Sequence, residues 1–554
     1  MNQLQHALQD YQEVYTKGAY HFVQKDKMII KFVGKYFRFQ TATSLINEEI
    51  TREAIRWVND DTQEEYDFTL IHEFDRQMSG DSFYLEITSD KNIVVRTQHM
   101  RGLRYAIEAL MKGVTKRGDY WCVPIVTVAH EPSFNMRGVI EGFYGIPWTH
   151  EDRLDVIRFL GEERMNTYMY APKDDELQRK KWREHYSEAD LEKFKELLAE
   201  SESQNVDFYY MISPGNDIDY TQPSEIKVLT DKLKQMIDLG IRNFGLLLDD
   251  IDYILKGQPK IIFEHSAIAH AFLVNQVNDY LKQTLATYTL VACPTEYDNH
   301  HDSLYLELLN EHLAPEVPLF WTGPATLAAH VRTEDIQTMA QAYQRPIVIW
   351  DNIPVNDYLK DYELLFLSPY ESRSPRLADT QYQVVGVVSN PMAQWEASKL
   401  TILSMRDFLW DSDGFNLDAS WQDIIQHYAG EEFAEAMLTW AAFNPNHFTR
   451  ETVSLTQSLA LMNEDEEQIE AELKRLYQAA QKLHAFPNDA FQKAVGPWLV
   501  RAEKDWDVWQ AYRAGDVEGV REKLTALQDY PHRIGTDLIA RYVAPKVTER
   551  ESSK

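Results

Sequence analysis

Asp249 and Asp250 stand side by side directly after the apolar run Phe244–Leu248, with Asp252 two residues on. Successive residues of a strand point to opposite faces, so adjacent carboxylates can serve one site only where a strand is ending. Carboxylates held that close cannot both ionise freely, and one pKa is expected to rise. A carboxylic acid that stays protonated near neutrality can hand its proton to a leaving group. Paired carboxylates are also the usual equipment for cleaving glycosidic bonds. Two other readings of the same residues are open: the carboxylates of the DDID segment could ligate a hard divalent cation, or they could form a solvated acidic turn. No HExxH or other His-rich pattern accompanies them, so no metal and no cofactor is expected.

The elements that would position this pair are legible around it. Between Met136 and Trp410, short apolar runs alternate with amphipathic stretches. The runs are RGVIEGFYG, NTYMYAPK, DFYYMISPG, FGLLLDD, TLVACPTEY, PLFWTGP, PIVIWDN and YQVVGVVSN. Glu151–Arg164, Ser187–Gln204, Ser224–Leu239, Ile268–Leu285 and Thr333–Gln344 have helical apolar spacing between them. Ser187 and Thr333 are candidate N-caps. Eight strand–helix alternations predict a (β/α)8 TIM barrel, with an open doubly wound sheet as the alternative. The polar residues favour the barrel. Glu141, Lys173-Asp174-Asp175, Asn216-Asp217, Asp249-Asp250, Glu296-Tyr297, Thr322, Asp351-Asn352 and Asn390 all follow the apolar part of their runs. Barrel active sites are built from the C-terminal strand ends.

The flanks differ in pattern. Residues 1–133 read as a small α/β domain, in which Phe83–Ile87 and Asn92–Thr97 are strand-like around the turn Ser89–Lys91. A helix with Leu103, Tyr105, Ala106, Ala109, Leu110 and Met111 on its apolar side follows. Residues 134–410 are the expected barrel and 411–554 a helical domain. Leu455, Leu459, Met462, Ile469, Leu473, Leu476 and Leu483 are spaced for a coiled coil or an intrachain bundle, and Asn463 with Glu466 reads as a capping pair.

Composition narrows the function classes. The 554 residues carry 56 Lys plus Arg against 87 Asp plus Glu, a net charge of −31. That field repels phosphate, which argues against nucleic acid and against an anionic membrane surface as partners. Only Cys122 and Cys293 are present, which supports neither a disulfide framework nor a Cys-based zinc site. No window resembles a secretory signal or a membrane-spanning helix, and a cytoplasmic location is expected. The oligomeric state is not readable.

The segments MRGVIEGFYGIPW, NTYMYAPKDD, LLLDDID, CPTEY, WTGP, IWDNIPVNDY and SNP occur in this order. Together they closely resemble glycoside hydrolase family 84, the β-N-acetylglucosaminidases that include O-GlcNAcases. The resemblance implies a retaining exo-enzyme acting on β-linked GlcNAc glycosides, in which the substrate's 2-acetamido oxygen attacks the anomeric carbon and gives an oxazoline. It implies that Asp249 orients the acetamide N–H and that Asp250 is general acid and then base. It also implies that Tyr297 donates to the acetamide oxygen, with Asn352 beside the acetamide and Trp350 as pocket wall. Asp357 would hold the sugar 4- and 6-hydroxyls, and Asn390 and Lys173 hydroxyls around positions 3 and 4. Gly142 would offer its carbonyl, and Tyr144 would line the floor.

Lys173 could instead pair with Asp174 or Asp175, and Trp350 and Tyr144 could be plain core. Ile146 stands where many relatives carry a basic residue. Leu364–Leu377 is expected to form a long loop over the rim, with Arg373 and Arg376 either touching an aglycone or forming structural ion pairs. The competing functional reading is a catalytically weak carbohydrate-binding or scaffold protein on the same fold.

Overall fold

The computed structural model describes residues 2–34, 53–252, 254–298, 303–358, 363–446, 465–534 and 537–552. Eight parallel strands close into a barrel: Met136–Ile140, Thr167–Tyr170, Asp207–Ile212, Asn243–Leu247, Thr289–Cys293, Leu319–Trp321, Ile347–Asp351 and Val384–Ser389. The last strand pairs with the first through Gly386 and Met136, which completes the ring. Each of the eight predicted runs supplies one strand. Nearly every strand residue is buried, as expected when helices cover one face of a parallel sheet and the barrel interior covers the other.

The interior is filled by Ile140, Met169, Met211, Leu247, Val291, Phe320, Val348 and Val388. Gly245 makes room for one of them: a Cβ there would lie 1.9 Å from the Met211 sulfur. Around the strands lie the helices His150–Glu162, Glu188–Gln204, Pro223–Asp238, Ser266–Thr284, Leu304–His312, Thr333–Tyr343 and Trp395–Trp410. Ser187 caps its helix as expected, accepting from the Asp190 N–H while Asp190 returns the bond. Thr333 is not a cap. It is the first helical residue, and Asp335 accepts from the N–H of Arg332, which takes the cap position. The carboxylate three residues on, rather than the Thr hydroxyl, satisfies the exposed donor.

Before the barrel lies an eight-stranded sheet, more than the sequence pattern resolves. Phe83–Ile87 and Asn92–Thr97 pair antiparallel within it, and Lys91 turns the chain with φ 65°. Strand burial alternates because the helix Met100–Gly113 covers one face. The sheet docks beneath the barrel, where Trp410 stacks on His130 at 4.1 Å.

After the barrel come the helices Leu417–Ala442, Glu466–Leu483, Asp489–Arg513, Val517–Gln528 and Leu538–Ser552. Ile469, Leu473, Leu476 and Leu483 are buried among them, so this half of the leucine spacing is an intrachain packing face. Leu455, Leu459, Met462 and Asn463 lie outside the described residues. The described helix is capped by Asp465, which accepts from the Gln468 N–H. Among the described residues, no helix is long and apolar enough to cross a membrane.

Candidate active site

The fourth barrel strand delivers the carboxylate pair. Its ladder persists to Leu248, whose N–H donates to Cys293 O at 2.9 Å. Asp250 then takes φ 44°, a left-handed conformation uncommon outside glycine and often found at functional sites. The turn lets both side chains reach the same pocket but places them in different surroundings. The Asp249 side chain is 7% exposed and that of Asp250 36%.

Lys173, from the end of the second strand, sits between the two. Its Nζ is 2.5 Å from Asp249 Oδ2 and 4.0 Å from Asp250 Oδ2. Burial works against the ammonium charge, but Asp249, Tyr144 and Asp250 together outweigh it and leave Lys173 above its ordinary pKa. The alternative pairing with Asp174 or Asp175 does not form. Asp175 instead accepts the hydroxyls of Tyr170 and Tyr186 at 2.9 and 2.7 Å. The other oxygen of Asp249, Oδ1, is buried with no hydrogen-bond partner among the described residues.

Asp250 receives two hydroxyls. Tyr297 donates to Oδ1 at 3.0 Å and Tyr144 to Oδ2 at 2.8 Å. Burial would raise its pKa. The Lys173 charge, these hydroxyls and the Arg179 guanidinium outweigh burial and hold it below the ordinary carboxylate value. The expected rise therefore does not fall on Asp250. A raised carboxyl is found on Asp357, where burial is offset only in part by the Tyr144 N–H, 2.7 Å from Oδ2, and by Lys173. Burial also pushes the phenols of Tyr144 and Tyr297 up, so both stay protonated donors.

The opposite wall is a chain of amides. Gly142 N–H donates to Asn390 Oδ1 at 3.2 Å, and Asn390 Nδ2 donates to Asn352 Oδ1 at 2.9 Å. Trp350 Nε1 donates to the same Asn352 oxygen at 3.1 Å, while Asn352 Nδ2 donates to Thr326 O at 2.6 Å. Gly142 must be glycine, because a Cβ would sit 2.3 Å from Trp350 Cζ2.

These groups enclose a pocket of about 450 Å³ that all ten predicted site residues line: Gly142, Tyr144, Lys173, Asp249, Asp250, Tyr297, Trp350, Asn352, Asp357 and Asn390. Thr322, predicted only as a rim residue, lines it too, with Cys293, Thr326, Leu327, Val355 and Tyr358. Arg179, at its edge, has no sequence signal, lying in the basic stretch Arg179–Lys181.

Other predicted rim groups are structural. Glu141 is fully buried and takes two bonds from Arg153 and one from Tyr168. Asp351 is clasped by Arg373 through Nε at 2.8 Å and Nη2 at 2.7 Å, with the Tyr370 hydroxyl at 2.7 Å. Asp217, on the third strand's loop, is held by Trp182 and Arg183. Of Leu364–Leu377, expected as a loop over the rim, Leu364, Leu365, Phe366 and Leu367 are instead buried against the C-terminal helices, while Tyr370 and Arg373 fasten Asp351 at the end of the seventh strand. Arg376 pairs with Asp379 and Asp413. Asp252 faces away and pairs with Lys256 at 2.8 Å, so the DDID carboxylates do not converge. Among the described residues, no cluster of three or more His, Cys, Asp or Glu is placed to hold a metal.

A (β/α)8 barrel with neighbouring carboxylates at its C-terminal strand ends has the architecture of a glycoside hydrolase. The sequence profile of the β-N-acetylglucosaminidase family matches residues 137–442, more than half of the chain. The chain belongs to the β-N-acetylglucosaminidase family. The Protein O-GlcNAcase of Mus musculus is 39% identical over 271 residues, 48% of this chain and 29% of that protein. The chain thus matches under a third of the length of this curated relative. Among solved structures, a mutant of the Thermobaculum terrenum O-GlcNAc hydrolase is 28% identical with a TM-score of 0.68, covering 76% of this chain and 97% of its own. The structure of CpGH84B, at 24% identity and a TM-score of 0.77, covers 97% of this chain and 98% of its own, and shares the fold.

Proposed function

We propose that the protein is a retaining exo-β-N-acetylglucosaminidase that removes terminal β-linked GlcNAc from glycoconjugates or glycoproteins by a substrate-assisted mechanism. The observation that carries this reading is the unequal state of the two carboxylates. Asp249 is buried and anchored through one oxygen to Lys173, and its other oxygen lacks a donor among the described residues. A buried acceptor without a partner is costly, and a substrate amide N–H would satisfy it. Asp250 is half-exposed at the mouth, where a leaving group must depart.

In the first step the acetamide carbonyl oxygen attacks C1, and the bond from C1 to the aglycone oxygen breaks. The proton of the Asp250 carboxylic acid goes to that oxygen, leaving the Asp250 carboxylate and a protonated oxazoline, an oxazolinium ion whose N–H is held by Asp249. In the second step Asp250 takes a proton from water as the water oxygen bonds to C1, and the bond from C1 to the oxazoline oxygen breaks. The acetamide re-forms, and two inversions give net retention. Tyr297 supports the acetamide oxygen, and Asn352 and Trp350 enclose the group. Asp357, Asn390, Lys173 and Gly142 hold the ring hydroxyls, over a floor made by Tyr144. Holding the acetamide in line contributes at most about 7–11 kcal/mol, and proton transfer a factor of about 10²–10⁴. In this reading residues 134–410 perform the chemistry, and 1–133 and 411–554 flank it.

The test is hydrolysis of a β-GlcNAc glycoside with a poor, alkyl leaving group, with chelator present, by the wild type and by Asp250→Asn. Wild-type turnover that falls sharply in the variant is expected. A folded wild type that binds GlcNAc without turnover would overturn the reading in favour of a binding protein. Turnover abolished by chelator would point to a metal-dependent hydrolase.

A further inference from the structure

Arg179 follows Lys173 on the loop after the second barrel strand and reaches back to the carboxylate pair. Its Nη1–H donates to Tyr144 Oη at 3.0 Å, and its Nη2–H donates to the backbone oxygen of Asp250 at 3.3 Å. The guanidinium carbon lies 5.7 Å from the centre of the Tyr144 ring. Among the described residues Arg179 has no carboxylate within ion-pair distance, although other half-buried arginines here do: Arg153 holds Glu141, and Arg183 holds Asp217 and Glu225.

The bond directions matter. A phenol has one proton, and a guanidinium can only donate. When Arg179 occupies a lone pair of Tyr144 Oη, the phenol's proton is left for another acceptor, and Asp250 Oδ2 is 2.8 Å away. The positive charge beside the phenol oxygen also polarises the O–H and strengthens that second bond. Arg179, Tyr144 and Asp250 thus form a directed relay ending on the carboxylate oxygen. The other groups that face Asp250 are the Tyr297 hydroxyl on Oδ1, the Lys173 ammonium, the neighbouring carboxylate of Asp249, the carboxyl of Asp357 and the Cys293 thiol. Lys173 is shared with Asp249, and Tyr297 is reserved for the acetamide in the proposed reaction. Arg179 reaches Asp250 through the Tyr144 hydroxyl and through the Asp250 backbone oxygen.

We propose that Arg179 is a positioning residue for proton transfer, setting the proton affinity of Asp250 by orienting and polarising the Tyr144 hydroxyl. This rests on the reading of Asp250 as the acid and base of the reaction. Strong donation to the carboxylate favours its ionised form, the one that activates water in the second step. Weakening the relay makes the carboxyl hold its proton to higher pH.

The experiment is the pH dependence of kcat/KM, which reports groups of the free enzyme. It uses a β-GlcNAc aryl glycoside with a poor leaving group, so that protonation limits the rate. Arg179→Met is expected to move the alkaline limb upward by about one pH unit. Tyr144→Phe, which removes the donor itself, should move it in the same direction by at least as much. In the Tyr144→Phe background, Arg179→Met should add little. Arg179→Lys, which restores charge without the fork, should recover part of the shift. A uniform fall in kcat/KM with the limb unmoved in both single variants would overturn the proposal, as would full additivity in the double variant. If Arg179→Met does not fold, the limb position in Tyr144→Phe and Arg179→Lys decides the matter. Loss of wild-type turnover would count against the glycosidase reading instead, which keeps the two failures distinct.

Discussion

Asp249 and Asp250 differ by one position and have opposite surroundings, and the chemistry proposed for them predicts different losses. Asp250→Asn should lower kcat/KM by about 10²–10⁴ on a substrate with a poor leaving group. It should do so far less on p-nitrophenyl β-GlcNAc, whose leaving group needs little proton. Asp249→Asn should be costly on both, because its task is the acetamide; comparing the two aglycones across both variants separates the roles. Lys173→Met would leave Asp249 buried opposite nothing. Removing one partner of a buried pair costs about 3–5 kcal/mol, so a clear drop in thermal unfolding midpoint is expected, measurable by circular dichroism. The carboxylate pair was legible in its position at a strand end, the rest of the pocket through the motifs that resemble a known family, and all ten residues line one cavity. The electrostatics were not. Adjacency suggested that one of the pair would be raised, but Lys173, Tyr144, Tyr297 and Arg179 come from other strands and reverse the balance at Asp250. Arg179 itself is separable from Lys180 and Lys181 only by the fold.

The strand ends do two jobs that look alike in a sequence. Some turn polar groups into the pocket, and others use them to fasten the barrel's helices and loops. Asp351 and Asn352 are neighbours, yet Asn352 joins the amide chain of the pocket while Asp351 is locked beneath it by Arg373 and Tyr370. Apolar periodicity predicts where a strand stops but not which of two successive polar residues faces in, since that depends on a partner far along the chain. The same limit explains the expected rim loop at Leu364–Leu377: Leu364, Leu365 and Leu367 are buried by helices whose packing the local pattern does not encode. Gly142 tests the element scale directly. Gly142→Ala places a methyl against Trp350, and overpacking of this kind costs about 1–3 kcal/mol. The indole must shift, which strains its bond to Asn352 and loosens the wall facing the sugar. KM for a β-GlcNAc glycoside should rise more than kcat falls. A variant with unchanged KM would show that the wall yields without consequence.

The N-terminal sheet meets the barrel at the end opposite the pocket, and one carboxylate lies at the junction. Asp81 accepts from Arg101 Nε at 2.9 Å, Arg137 Nη2 at 3.1 Å and Asn166 Nδ2 at 2.9 Å, so the sheet's approach, its helix and the first two barrel strands converge on a single side chain. Burial would raise its pKa, but Arg101, His99, Arg137 and Asn166 together hold it far below the ordinary value. A carboxyl lowered by folding adds stability that is fully present above its unfolded pKa, near 3.9, and is lost as pH falls toward the folded one. Asp81→Asn leaves the buried Arg137 guanidinium without its counter-charge, at a cost of about 3–5 kcal/mol near neutrality. The difference in denaturant-unfolding free energy between wild type and variant should therefore be large at pH 7 and shrink as the pH is lowered below about 4. Below the unfolding transition, kcat/KM at neutral pH should be nearly unchanged, because the pocket draws nothing from this junction. A pH-independent difference would mean that Asp81 acts through shape alone. A large loss of kcat/KM in the folded variant would mean that the sheet holds the barrel in a working form, and that the two ends of the molecule are mechanically coupled through the first two strands.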